Sequence, residues 1–151
     1  MRALIQRVTE ASVSIADEQR QRSIGRGLLV LVGVGDEDQL EDAQWLAGKI
    51  ARLRIFGDDA GLMNLDIRQI SGEILVISQF TLHALTKKGN RPSFIRAAGP
   101  VKAVPLYEYF TACLAEQSGC AVKQGKFGAY MKVSLVNDGP VTLWMDSKNK
   151  E

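Results

Sequence analysis

Two stretches near the start of the chain, residues 3–8 and 12–16, mix apolar and polar positions as strands do. In the second, Val13 and Ile15 alternate with Ser12 and Ser14. A repeat of two belongs to a strand with one buried face, so each stretch is expected to form a strand. Residues 27–34 read Gly-Leu-Leu-Val-Leu-Val-Gly-Val, a nearly unbroken apolar run that suits a central strand covered on both faces. The pattern then changes period. Leu40, Ala43, Leu46, Ala47, Ile50 and Leu53 recur every three or four residues, one face of a helix. The acidic run 36–42 ahead of them suits the positive end of the helix dipole and is expected to be a solvated first turn.

Turns are expected at residues 57–61 and at Ser71-Gly72, the latter leading into a β-branched strand at 73–78. A second helix is expected over residues 105–118, with Pro105 in its first turn and Leu106, Tyr109, Phe110, Cys113 and Leu114 as its buried stripe. Two last strands, 132–136 and 141–145, flank a turn made of Asn137, Asp138, Gly139 and Pro140. Residues 146–151 are polar and expected to fray. The chain therefore reads as one domain over residues 1–151, of mixed α/β class, with a largely antiparallel, barrel-like sheet and two main helices packed outside it.

Bulk composition narrows the function mainly by exclusion. With 151 residues and a net charge of +2, the chain is long enough for its own core, and its overall charge does not point to nucleic acid. Two cysteines without CxxC spacing support neither a disulfide framework nor a metal knot. No apolar run reaches the length of a membrane span, and the first residues lack a signal-peptide core. A reducing, cytoplasmic setting is expected, with both thiols packed as small hydrophobes. His83 is the only histidine, so a zinc site rich in His and Cys cannot form. Gly33-Val34-Gly35 is only a fragment of a dinucleotide fingerprint.

Three segments could carry chemistry. Ser78, Gln79 and Thr81 follow an apolar strand; their side chains can donate and accept hydrogen bonds, and backbone N–H groups at such a turn could hold an oxyanion. At 137–142, a Gly139-Pro140 peptide in the cis form would turn two carbonyls the same way, to accept hydrogen bonds from an ammonium group. Residues 86–102 carry Lys87, Lys88, Arg91, Arg96 and Lys102, with no acid between Glu73 and Glu108. Such a basic loop suits a phosphate-bearing partner. Ordinary strand-end, hairpin and solvated-loop readings stand beside all three.

Ser78-Gln79-Phe80-Thr81-Leu82 followed by Asn137-Asp138-Gly139-Pro140-Val141-Thr142 resembles the motif pair of the D-aminoacyl-tRNA deacylases. Supporting matches occur near both ends and at Arg91-Pro92-Ser93-Phe94, Gly125-Lys126-Phe127 and Met131, so the resemblance covers nearly the whole chain. It implies a homodimer that hydrolyses the ester of D-aminoacyl-tRNA and mischarged glycyl-tRNA, needing no cofactor or metal. It further implies a site at the subunit interface. There, Ser78, Gln79, Phe80 and Thr81 provide the reacting side, with Phe127 and Met131 lining the pocket. Gly139-Pro140 of the other subunit, held by Arg7 and beside Asn137, rejects L-amino acids.

Lys87, Lys88, Arg91 and Arg96 are expected to meet the tRNA. The implied chemistry is RNA-assisted, the terminal 2′-OH helping to activate water. Thr81 as nucleophile ranks second, because no base is visible beside it. His83 stands where members of the family often carry a small residue. It is expected beside the adenosine or at the surface, without a catalytic role. The competing reading is a non-catalytic module that binds RNA ends or DNA through the basic loop.

Overall fold

The structure, a computed structural model, describes residues 1–16 and 21–151. The described residues form eight strands and two α-helices. In chain order these are β1 (Arg2–Ile15), β2 (Gln21–Ile24), β3 (Gly27–Gly33), α1 (Leu40–Ala51), β4 (Phe56–Gly57), β5 (Met63–Leu65), β6 (Glu73–Ser78), α2 (Pro100–Ser118), β7 (Val122–Gln124) and β8 (Met131–Asp146). Six of the strands make a nearly closed, barrel-like sheet in the order β2-β1-β3-β6-β7, with β8 on the other side of β1. The β3–β6 and β6–β7 pairs are parallel and the three pairs made by β1 are antiparallel. The expected α/β class and barrel-like sheet are what the chain adopts.

The apolar runs explain the middle of this sheet. Leu28, Val30 and Val32 of β3, with Ile74 and Val76 of β6, face the helices and pack with Leu46, Ile50, Phe110 and Leu114. Leu29, Leu75 and Ile77 point the other way, against Val8, Val13 and Ile24. Side chains on a strand alternate, so a run apolar at every position can fill two cores. Each fully buried aliphatic side chain adds about 1.5–3 kcal/mol.

Several expectations are corrected. The two strands at 3–8 and 12–16 are one strand. Residues 2–8 of β1 pair with β3 and residues 11–14 with β2, and the polar Thr9-Glu10 marks this change of partner rather than a turn. Helix α2 begins at Pro100, after an N-cap at Gly99 whose carbonyl accepts from Lys102 and Ala103. Pro105 therefore lies inside the helix, on its exposed side, where water can take the carbonyl it leaves unpaired. Tyr107, not Tyr109, is the buried tyrosine, its hydroxyl donating to the Val76 carbonyl at 3.1 Å.

The acidic run is not simply solvated. Asp38 is buried, and its carboxylate accepts from the Met1 amino group and from Gly35 N–H. Asp42 closes a capping box with Gln39 and accepts from Lys148 Nζ at 2.7 Å. The tail expected to fray is thereby tied down: Ser147 is buried, and Lys150 lies over the Trp45 ring at 4.7 Å. Among the described residues, no helix is long and apolar enough to cross a membrane.

Burial pushes the Asp42 carboxyl up, but Lys148, the Gln39 N–H and Ser147 together outweigh it and hold the pKa at about 2. A carboxylate with a depressed folded-state pKa contributes stability above its unfolded value, and that contribution disappears as pH falls through the folded value. Asp42→Asn is therefore expected to cost about 1–2 kcal/mol at pH 7, allowing for the half-exposed lysine. Thermal unfolding of both proteins from pH 7 down to pH 2 checks this. The gap in Tm should narrow between about pH 4 and pH 2.

Candidate active site

Strand β6 ends at Ser78, and the chain turns at once into one turn of 3-10 helix, Phe80–His83. Gln79 N–H donates to the Val32 carbonyl at 2.7 Å, and the Gln79 carbonyl accepts from Leu82. The turn is thus fixed on the end of β3. A 3-10 turn leaves its first N–H groups without intrahelical acceptors, so those of Phe80 and Thr81 are not used within the turn.

Ser78, Gln79 and Phe80 border a cavity of about 260 Å³, which Phe127, Tyr130 and Met131 also line, together with Val32, Ala98 and Ala103. Tyr107 packs against Phe127, ring centroids 5.9 Å apart. Phe80 is 56% exposed and meets Phe94 edge-on at 5.1 Å. Among the described residues, the lining includes no carboxylate, imidazole or ammonium group. Thr81 is not part of it. Its hydroxyl is exposed and accepts a hydrogen bond from Gln79 Nε2 at 2.5 Å. A larger groove of about 700 Å³ beside β1, β2 and β8 contains none of the expected site residues.

Asn137, Asp138, Gly139 and Pro140 do not reverse the chain. They form an excursion within β8: Asn137 pairs with Val8 and Thr142 with Gln6, so the four residues between them stand opposite Arg7 alone. The Gly139-Pro140 peptide is cis, Gly139 has φ +142°, and both residues are exposed. Two side chains shape the excursion. Asn137 spans its base, Oδ1 accepting from Val141 N–H at 2.9 Å and Nδ2 donating to the Val141 carbonyl at 3.1 Å. Arg7 donates to the carbonyls of Asp138 and Ile55 and pairs with the Asp138 carboxylate at 3.3 Å.

The basic loop is shorter than expected, because Lys102 belongs to α2 and donates to the Asp36 carbonyl. Leu85 and Ser93 exchange backbone hydrogen bonds and fold residues 85–93 into a hairpin, on which Lys87, Lys88 and Arg91 are exposed. Arg96 is also exposed, beside a separate cavity of about 450 Å³ that His83 lines. His83 itself is buried, neither at the surface nor in the Phe80 cavity.

Within the single chain, then, the fold gathers Ser78, Gln79, Phe80, Phe127 and Met131. Thr81, Arg7, Asn137, Gly139 and Pro140 lie outside that cavity. Sequence reasoning missed Tyr130 and the contact of Phe94 with Phe80. Each had a trace in the sequence: Tyr130 sits between the two expected lining residues, and Phe94 is the one Phe, Tyr or Trp between Phe80 and Tyr107.

The D-Tyr-tRNA(Tyr) deacylase family model matches residues 4–146. Proteins named D-aminoacyl-tRNA deacylase from Bacteroides thetaiotaomicron and Flavobacterium johnsoniae are 58% and 55% identical to the chain, over the full length of both partners. A solved structure titled c-Myc DNA Unwinding Element Binding Protein superposes with a TM-score of 0.88 at 40% identity, covering 97% of this chain and 98% of that one. A second, described as a probable eukaryotic D-amino acid tRNA deacylase, shares the fold with a TM-score of 0.81 at 17% identity, covering 95% of this chain and 97% of that one. By its matched length and its full-length identities, the chain belongs to the D-Tyr-tRNA(Tyr) deacylase family.

Proposed function

We propose that this protein hydrolyses the ester joining a D-amino acid, or glycine, to the 3′ end of tRNA, and spares L-aminoacyl esters. The observation that carries the chemical reading is the cavity beside Phe80: backbone N–H groups start a turn at its rim, and among the described residues its lining holds no general base. Such a site can position an ester and stabilise an oxyanion. Help in activating water is then assigned to the substrate: the terminal 2′-OH of the RNA, beside the scissile bond, can accept a proton from the attacking water while passing its own to the departing 3′ oxygen. The exposed lysines and arginine of the 85–93 hairpin suit the phosphates that follow.

Selection by handedness is assigned to Gly139 and Pro140 of a second copy. Support comes from their separation from the Phe80 cavity within one chain and from their exposure. Strand β8 also offers a long edge with exposed Leu135, Val136 and Trp144, surface that pairing of two copies could cover. In a dimer, the two carbonyls would accept the α-ammonium of a D-residue and leave no room for an L side chain, which is specificity by exclusion. Arg7 and Asn137 would hold those carbonyls in place. The enzyme would act in the cytoplasm, where aminoacyl-tRNA is found.

The test is direct. Purified protein mixed with D-tyrosyl-tRNA and with L-tyrosyl-tRNA should release D-tyrosine and leave the L ester intact. Survival of both esters at high enzyme concentration sinks the proposal. Salt-sensitive RNA binding without turnover would support the non-catalytic module instead.

A further inference from the structure

His83 closes the turn that carries Phe80 and Thr81, and its surroundings are unusual for a histidine. The residue is 6% exposed, and its Nε2 is buried without a hydrogen-bond partner. The ring lies against two glycines. A Cβ on Gly33 would stand 3.0 Å from His83 Cδ2, and one on Gly35 would stand 2.9 Å from Cε1. The same Cβ on Gly33 would meet the Gln79 carbonyl at 2.9 Å and Leu82 Cβ at 3.1 Å. Turn and imidazole therefore rest on one patch of bare backbone at the end of β3, with space for the ring only because both positions lack side chains.

The charged neighbours come from every side. Arg2 of β1 donates to the Leu82 carbonyl at 3.0 Å and to Asp146 at 2.8 Å. The Met1 amino group is engaged with Asp38 and Ser147. Asp38, in the connection between β3 and α1, has its other oxygen on Gly35 N–H at 2.6 Å. Asp36, Glu37, Arg96, Asp146 and Lys148 line the same cavity. The acid best placed for an imidazolium is Asp38, and both of its oxygens are occupied. To answer a charged ring it would have to slacken its hold on Gly35, and so on the strand end beneath the turn.

We propose that His83 is a positioning residue for deacylation: its neutral ring, wedged between the Phe80–His83 turn and Gly33 and Gly35, sets where the Phe80 and Thr81 N–H groups point, and protonating it releases them. Burial holds this imidazole below the ordinary histidine value. Arg2 and the Met1 ammonium add to the shift, against the Gly33 carbonyl and Asp38. The inference rests on reading residues 78–81 as the reacting segment, and its test separates the two.

In wild-type protein, the Phe80 and Thr81 amide resonances should titrate together with the His83 ring protons, at a pH below the usual histidine range of about 6.5. In His83→Gln, a flat side chain that does not titrate, they should stay still over that range. In kinetics at pH 7.5, His83→Ala should lower kcat about tenfold with KM within about twofold. His83→Gln should recover most of kcat and lose the acid limb of the wild-type profile. Amides that ignore the titration of the ring overturn the proposal, as does an acid limb that persists in His83→Gln. Absence of turnover in wild-type protein would instead strike the functional reading, while the resonances still decide the role of His83.

Discussion

Replacing the 2′-OH of the terminal adenosine with hydrogen is expected to slow release of D-tyrosine by at least about a hundredfold, and Thr81→Ala by less than about tenfold. The first figure corresponds to about 2.7 kcal/mol of barrier, within the range of a group that acts in the transition state. The asymmetry follows from the partners of the two hydroxyls. Thr81 Oγ1 is exposed and accepts from the Gln79 amide nitrogen, and an amide nitrogen cannot take a proton from it. His83 lies two residues on, but it is buried behind the turn with no partner at Nε2. A threonine nucleophile without a base stays a weak one. The RNA hydroxyl, by contrast, sits on the carbon next to the esterified one and needs no reach. Single-turnover rates with native and 2′-deoxy-terminated D-tyrosyl-tRNA, for wild type and Thr81→Ala, settle the order. A trapped acyl-enzyme on Thr81, or a larger loss from Thr81→Ala than from the deoxy substrate, reverses the assignment.

Much of the fold was legible because some segments obey a single rule along their length. Strand β3 is apolar at successive positions and fills two cores, so its burial on both faces could be read directly, whereas β6 was legible only as a strand. The misreadings share a cause: a local pattern was overruled by a distant partner. Asn137-Asp138-Gly139-Pro140 has the composition of a hairpin turn, yet β8 continues in the same direction, because β1 supplies pairing residues on both sides of Arg7. Asp38 and Asp42 read as a solvated first turn, yet they receive the Met1 amino group and Lys148, partners from opposite ends of the chain.

At the site, Ser78, Gln79, Phe80, Phe127 and Met131 were legible through resemblance to a family, and the fold brings them together around one cavity. The placement of His83 was not. Gly33-Val34-Gly35, considered only as a fragment of a nucleotide motif, is what admits its ring. Periodicity can say that a residue is polar, but not that two glycines fifty positions earlier have left a slot for it.

Gly139→Ala is expected to abolish most D-specific turnover, by about a hundredfold or more, while Tm changes little. The argument is local. Gly139 has φ +142°, a conformation that residues with a Cβ rarely adopt. The added Cβ would also lie 2.7 Å from Val141 Cγ2, 2.8 Å from Val141 N and 3.2 Å from Arg7 Nη2. The neighbours cannot all give way, because Val141 N–H is fixed by Asn137 and Arg7 by the carbonyls of Asp138 and Ile55. The excursion must therefore shift, and its carbonyls with it. Gly139 and Pro140 are exposed, and of the excursion only Val141 packs against the core, so the global fold has little to lose, and the damage should fall on catalysis. Arg7→Lys should produce a milder form of the same defect, since one ammonium cannot reproduce the fork that meets both carbonyls. Rates on D- and L-tyrosyl-tRNA, read beside thermal unfolding and sedimentation of the same samples, distinguish the cases. Loss of D turnover with an unchanged Tm places chiral selection in these carbonyls. Wild-type rates and selectivity in Gly139→Ala remove them from the mechanism.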